Sequence, residues 1–126
     1  MLRVLVVDDD PALRVLVGHI LTMSNSEIIE ADDGADALEI LEQDAVFDVI
    51  LADIRMARMD GLQFLDIVKR QYPAIPVIMV SVHRTATLAN EALKRGAAGY
   101  LQKPFTIAEL KEAIQNAVQG KASTGK

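Results

Sequence analysis

Three consecutive acids, Asp8, Asp9 and Asp10, follow the apolar run Leu5-Val6-Val7 directly, and Pro11 comes next. A fourth acid, Asp53, ends a second apolar run, Val49-Ile50-Leu51-Ala52. Ser81 closes Val77-Ile78-Met79-Val80, and Lys103 follows Tyr100-Leu101-Gln102. Brought side by side, carboxylates about 5 Å apart repel by roughly 3 kcal/mol at an effective dielectric of about 20. Such acids either raise their own pKa values or recruit a divalent cation. All-oxygen ligation without His or Cys favours Mg²⁺ or Mn²⁺ over zinc. A hydroxyl and an ammonium opposite a cation suit a phosphoryl group, whose oxygens take charge and hydrogen bonds from them. One carboxylate would then be the nucleophile, giving an aspartyl phosphate. Asp53 is the better candidate because it stands alone at its run end, whereas Asp8 and Asp9 can pair around an ion.

Whether these residues meet depends on the elements that carry them. Short runs rich in Val and Ile alternate with longer amphipathic segments. Strands are expected at 2–7, 26–31, 47–52, 76–82 and 99–102, and helices at 11–23, 35–42, 62–72, 86–95 and from 106 to about 120. The first helix places Leu13, Leu16, Val17 and Ile20 on one face; the second uses Ala37, Leu38 and Leu41. The third uses Leu62, Leu65 and Val68 and stops at Pro73, and the fourth ends at Gly96, a C-terminal glycine. The last opens with Thr106 and Glu109, a capping box, and turns Ile107, Leu110, Ile114 and Val118 inward. Residues 1–120 form one domain on this pattern, and 121–126 a flexible C-terminal tail.

Five strands alternating with five helices imply an α/β fold, a doubly wound (βα)5 parallel sheet covered on both faces. The first, third and fourth strands are nearly continuously apolar, as central strands should be; the second and fifth are shorter or more polar and suit the edges. Right-handed crossovers then make 2-1-3-4-5 the simplest order, with the topological switch between strands one and three. Ligands in such sheets bind outside the carboxyl ends of the strands at that switch. Asp8, Asp9 and Asp53 sit at those ends, and Ser81 and Lys103 share the surface.

Composition narrows the alternatives. A chain of 126 residues, 51% hydrophobic and 25% charged, is sized for one ordinary globular domain. A net charge of -5 and the lack of a basic run argue against direct nucleic-acid binding. There is no cysteine, which removes disulfides and thiolate chemistry. No apolar stretch approaches the ~20 residues of a membrane span, and no signal-peptide pattern opens the chain, so the expected compartment is cytoplasmic.

Each residue also has a plain structural explanation. Asp10 before Pro11 is explained as a helix cap followed by proline at the first helical position. Asp60-Gly61 fits a turn or cap before the third helix. Ser81 alone is a strand-end hydroxyl and Lys103 alone a solvated lysine; His19 and His83 have no partner at ligand spacing and suit plain surface. Gly18 in mid-helix costs about 1 kcal/mol relative to alanine and points to close packing. The convergence at one sheet edge separates the functional set from these single-residue accounts.

Residues 4–10 (VLVVDDD), 47–56 (FDVILADIRM), 59–61 (MDG), Ser81 and Lys103-Pro104-Phe105 together resemble the receiver domain of response regulators, the CheY-like phosphoacceptor half of two-component signalling. The resemblance runs from the first strand to the last helix. It implies a flavodoxin-like (CheY-like) fold and phosphorylation of Asp53 by a histidine kinase or histidine phosphotransfer protein. It implies Mg²⁺ (or Mn²⁺) bound by Asp9 directly, by Asp8 mainly through water, and by Asp53 and the backbone carbonyl of Arg55. Ser81 and Lys103 would contact the phosphoryl oxygens, and Tyr100 would be the switch aromatic that turns inward with Ser81. Lys103-Pro104 would be cis. Such a domain is not an enzyme beyond catalysing its own phosphorylation and dephosphorylation. Two departures stand out: Ala57 replaces a usual proline, and Val82 replaces a usual Ala or Gly. Val82, with Arg55 and His83, is expected to affect approach to Asp53 and the lifetime of the acyl phosphate.

Two other functions compete with this one. A small Mg²⁺-dependent phosphatase of the haloacid-dehalogenase type would use Asp8, Asp10, Ser81 and Lys103. However, Ala12 is wrong for its motif, Asp53 comes too early and no acidic pair follows Lys103. A receiver-shaped binding module that is never phosphorylated would not need its five functional positions intact. Within the receiver reading, output to a downstream protein through the fourth helix, fifth strand and fifth helix is expected, with no direct nucleic acid and no membrane contact. Phosphorylation-dependent dimerisation through the same face, and a stand-alone chain against part of a longer regulator, stay open.

Overall fold

The computed structural model describes residues 2–22, 25–56, 59–82 and 86–122. Five strands and five helices alternate: β1 (Arg3–Val7), α1 (Pro11–Thr22), β2 (Glu27–Ala31), α2 (Gly34–Gln43), β3 (Val49–Asp53), α3 (Gly61–Gln71), β4 (Val77–Ser81), α4 (Ala86–Lys94), β5 (Gly99–Gln102) and α5 (Ile107–Ala122). All strands are parallel, in the order β2-β1-β3-β4-β5. The expected order and both edges are observed, and the boundaries move by a residue or two. α5 runs to Ala122, past the expected end near Gly120.

Burial follows the pattern that set the strand assignment. Every residue of β3 and β4 is buried, as is all of β1 after Arg3, whereas β2 exposes Glu27 and Glu30. Two apolar clusters cover the two faces. Leu5, Val7, Ile50 and Met79 pack with Ala37 and Leu41 of α2, Phe64, Leu65 and Val68 of α3, and Ala92 of α4. Val4, Val6, Leu51, Ile78 and Val80 pack with Val17, Ile20 and Leu21 of α1 and Leu110, Ile114 and Ala117 of α5. Phe64, fully buried, was not among the expected core positions of the third helix. Ile107 reverses its expectation: it is 55% exposed. As the first residue of α5, one turn before Leu110, it overhangs the part of the helix that covers the sheet.

Caps close the helices where polar residues predicted them. Thr106 and Glu109 exchange bonds of 3.0 and 2.8 Å. The Asp60 side chain accepts from the Leu62 N–H at 2.7 Å, and Gln63 returns a bond to the Asp60 N–H, so Asp60 is the cap of α3. The Asp10 carbonyl accepts the Arg14 N–H at 3.2 Å, with Pro11 first in α1, the capping position expected of it. Gly96 follows α4 with φ +98°, a left-handed conformation that favours glycine. Gly18 is different: a methyl group there would meet nothing within 4 Å, so close packing does not explain it. Gly18→Ala is expected to stabilise the domain by about 0.5–1 kcal/mol in urea unfolding; a loss of stability would show an unseen constraint on that helix.

Candidate functional site

Register brings the two acidic run ends together. Val7 pairs with Ala52, so the next residues, Asp8 and Asp53, stand opposite each other at the ends of β1 and β3. Asp53 in turn pairs with Val80, the residue before Ser81. The Lys103 N–H donates to the Ser81 carbonyl at 2.8 Å, which extends the β4–β5 ladder and sets Lys103 over the same edge. The Lys103-Pro104 peptide bond is cis, as the resemblance implied.

The side chains converge. Lys103 Nζ donates to Asp8 Oδ2 at 2.9 Å and to Asp53 Oδ2 at 3.0 Å, bridging residues 95 and 50 positions away in sequence. Asp53 Oδ1 accepts the Arg55 N–H at 3.1 Å, and Asp8 Oδ1 accepts the Asp10 N–H at 2.8 Å. Asp8 and Ser81 are almost fully buried and Asp53 nearly so, while Asp9 is exposed. Under Asp8 and Asp53 lies an apolar floor that includes Val6, Val17, Leu51 and Leu110, with a cavity of about 10 Å³, room for one water at most. That space is too small to admit a phosphoryl donor from below. Val82 directly follows Ser81 at the end of β4 and is 61% exposed.

Electrostatics at this edge are unbalanced. Burial pushes the Asp8 carboxyl above its ordinary value; the Lys103 ammonium and the Asp10 N–H pull it back, and the Asp53 charge pushes it further up. For Lys103, burial favours the neutral amine, but the bonds and charges of Asp8 and Asp53 outweigh it and hold the ammonium above its usual range. One lysine thus faces three carboxylates. A carboxylate oxygen from each of Asp8, Asp9 and Asp53 lies within 4.8 Å of the other two. Hard oxygen donors with surplus negative charge, one of them open to solvent, fit Mg²⁺ or Mn²⁺ well.

The raised Asp8 carboxyl has a measurable consequence. Because the folded state binds this proton more tightly than the unfolded chain, the ionised group costs stability at neutral pH, and the cost fades as pH falls through the folded pKa, which lies above 3.8. Asp8→Asn keeps an oxygen for the Asp10 N–H and leaves Lys103 its bond to Asp53. In metal-free buffer it is expected to raise the melting temperature by a few degrees at pH 7, with the advantage shrinking toward pH 4. A variant that melts below the wild type at both pH values would overturn this account.

Of the residues expected from sequence, Asp8, Asp9, Asp53 and Lys103 are brought together directly, and Ser81 and Arg55 sit on the same edge through register and backbone bonding. Tyr100 on β5 is partly buried and packs against the core cluster shared by the sheet with α2, α3 and α4. His19 is exposed near the end of α1, the surface position expected for it. His83 and Ala57 lie outside the described residues. Arg14 was missed. Its guanidinium donates to the Asp8 carbonyl at 3.0 Å and pairs with Asp32 and Glu30, contacts that connect α1 with the ends of β1 and β2. In sequence it is one polar residue on a helix; the hint was a long cation one turn from a strand end, with acids ending the neighbouring strand.

Comparison with known proteins agrees with the fold. The family described as the response regulator receiver domain matches residues 4–115, and the chain belongs to that family. It is 39% identical over 116 residues to the DNA-binding transcriptional regulator NtrC of Proteus hauseri, covering 92% of this chain and 24% of that protein. Among solved structures, NtrX from Brucella abortus superposes with a TM-score of 0.92 at 33% identity, over 98% of this chain and 28% of that one. The chemotaxis protein CheY4 of Vibrio cholerae superposes with a TM-score of 0.86 at 34% identity, over 93% and 98% of the two chains. The chain spans about a quarter of the length of the curated relatives it matches. Receiver domains are phosphorylation-activated signalling domains, and neither the phosphatase nor the unphosphorylated module is favoured. No described helix is long and apolar enough to cross a membrane.

Proposed function

We propose that the Asp53 carboxylate takes a phosphoryl group from a phosphohistidine of a kinase or phosphotransfer protein. The observation that carries this reading is the Lys103 ammonium held at 2.9 and 3.0 Å between Asp8 and Asp53 over an apolar floor. An Asp53 oxygen attacks phosphorus as the bond from phosphorus to the donor nitrogen breaks; the product is an acyl phosphate and a free imidazole. Lys103 stands ready to neutralise an oxygen of the incoming group, and Ser81 at the end of β4 to donate a hydrogen bond to another. Asp8, Asp9, Asp53 and the Arg55 carbonyl would hold Mg²⁺ or Mn²⁺. When bound, that ion supplies positive charge against the phosphoryl oxygens.

Residues 1–120 act as the receiver in this reading, with α5 continuing to Ala122. Withdrawal of Ser81 toward a phosphoryl group frees room for Tyr100 to move further inward. The surface of α4, β5 and α5 then changes for a downstream protein partner, or for a second copy of the chain. The domain works in the cytoplasm, with no catalysis beyond its own phosphorylation and dephosphorylation.

Acetyl phosphate with Mg²⁺, followed by intact mass, tests the chemistry. One phosphoryl adduct is expected, and none under any small donor or kinase sinks the reading. Val82→Ala is expected to change the rate of adduct formation or loss severalfold, because Val82 directly follows Ser81 at the end of β4 and is 61% exposed; unchanged rates in both directions would remove it from the site.

A further inference from the structure

We propose that Arg14 is a positioning residue for the acidic pocket, holding the peptide between Asp8 and Asp9 so that the exposed Asp9 carboxylate is presented to the cation. The inference rests on the reading of Asp9 as a Mg²⁺ ligand. Its basis is where the guanidinium sits. Asp32 and Glu30, its acidic partners, have side chains 71% and 49% exposed, so pairing with them alone would leave Arg14 at the surface. Instead the Arg14 side chain is only 15% exposed. Its Nε is buried with no hydrogen bond, 3.4 Å from Glu30 Oε1, the sole buried side-chain nitrogen or oxygen in that state among the described residues. An unsatisfied buried donor is costly. What the inward position gains is the bond from Nη1 to the Asp8 carbonyl at 3.0 Å.

That carbonyl belongs to the peptide that carries Asp9. The turn is also held at Asp8, whose N–H donates to the Ala31 carbonyl at 3.2 Å and whose carboxylate accepts the Asp10 N–H at 2.8 Å and the Lys103 ammonium at 2.9 Å, and at Asp10, whose carbonyl accepts the Arg14 N–H at 3.2 Å. Asp9 accepts no described restraint of its own, and its side chain is exposed. Arg14 therefore fixes the plane from which Asp9 projects, while its bond to Asp32 ties that plane to the loop after β2. Groups that orient metal ligands from behind typically change affinity by about 10–100-fold when lost.

The sign of the effect separates positioning from simple charge. A cation removed from beside an anionic pocket should, by Coulomb attraction alone, tighten Mg²⁺ binding. A purely structural arginine should lower the melting temperature and leave the affinity of the folded protein unchanged.

Titration calorimetry of the whole chain with magnesium chloride, well below the melting temperature, reads this directly. Arg14→Met is expected to weaken Mg²⁺ binding about 10-fold. Arg14→Lys, which keeps one donor for the carbonyl, should weaken it roughly threefold, a partial rescue. Asp32→Asn leaves the bond to Asp8 and should stay within about twofold. Affinity unchanged or tightened in Arg14→Met overturns the proposal. If that variant does not fold, Arg14→Lys decides, and wild-type affinity there overturns it equally. A wild-type chain that binds no Mg²⁺ at millimolar concentration overturns the reading of the pocket itself, and the positioning role with it.

Discussion

Asp53→Asn is expected to give a folded protein that takes up no phosphoryl group from any donor. The neutral amide oxygen is no nucleophile toward phosphorus, so the loss should be complete rather than partial, below detection by intact mass. Folding should survive because the substitution is nearly isosteric. The amide oxygen that replaces the carboxylate would still accept the Arg55 N–H now bound at 3.1 Å, and Lys103 would keep its 2.9 Å bond to Asp8. The lost ion pair at 3.0 Å is offset by relief of the repulsion that helps hold the Asp8 carboxyl up. Because Lys103 keeps a carboxylate partner and no buried charge is left unpaired, metal-free stability is expected within about 1 kcal/mol of the wild type. Mg²⁺ should stabilise the variant far less than the parent, since one of three carboxylates is gone. An adduct of wild-type yield on Asp53→Asn would move the nucleophile to another residue, with Asp8 and Asp9 next to be tested.

The part of this site that was legible in the sequence is the part written into strands. Asp8, Asp53, Ser81 and Lys103 each end an apolar run, and a parallel sheet has one carboxyl edge, so run ends that differ in sequence by up to 95 residues fall on one surface. The same logic identified the edge strands, because β2 shows Glu27 and Glu30 where a central strand would show Val or Ile. What escaped was set by distance between backbones and by helix ends. Phe64 lies between Gln63 and Leu65, and helical period alone did not choose it over Leu62, which is only partly buried. Ile107 has the right spacing from Leu110 but starts its helix beyond the covered surface. Arg14 makes its important bond to a backbone oxygen, which carries no residue type for a pattern to detect. Gly61 is the sharpest case, because the sequence suggested only a turn or cap at Asp60-Gly61.

Gly61→Ala is expected to destabilise the domain by about 3–5 kcal/mol, a large share of the roughly 5–15 kcal/mol that holds a domain together. The reason is space and not torsional freedom, since Gly96 is the only described glycine at positive φ. A methyl group on Gly61 would lie 2.3 Å from the Asp53 carbonyl oxygen, 2.6 Å from the Ile54 Cα and 2.9 Å from the Ile54 carbonyl oxygen. All three are main-chain atoms at the end of a buried strand, so no rotamer change relieves the overlap. Either α3 lifts away from β3, opening the packing of Phe64 and Leu65, or the backbone carrying Asp53 shifts. In both cases the 2.7 Å bond from the Gly61 N–H to the Ile54 carbonyl is strained or lost. The site should suffer with the fold, because that backbone aims Asp53 at Lys103. A series of glycines calibrates the claim. Gly34 has a milder clash, 2.9 Å to Met59 Sδ with Met59 Cβ at 3.2 Å and Cγ at 3.3 Å; the thioether can swing away and the Cβ need give only slightly, so Gly34→Ala should cost about 1 kcal/mol. Gly18→Ala should gain. Urea midpoints should fall in the order Gly18→Ala, wild type, Gly34→Ala, Gly61→Ala, the first from helix propensity and the last two from these distances. A Gly61→Ala variant within about 1 kcal/mol of wild type would mean that the backbone after Asp53 yields freely, and that the close approach of α3 does not fix the Asp53 carboxylate.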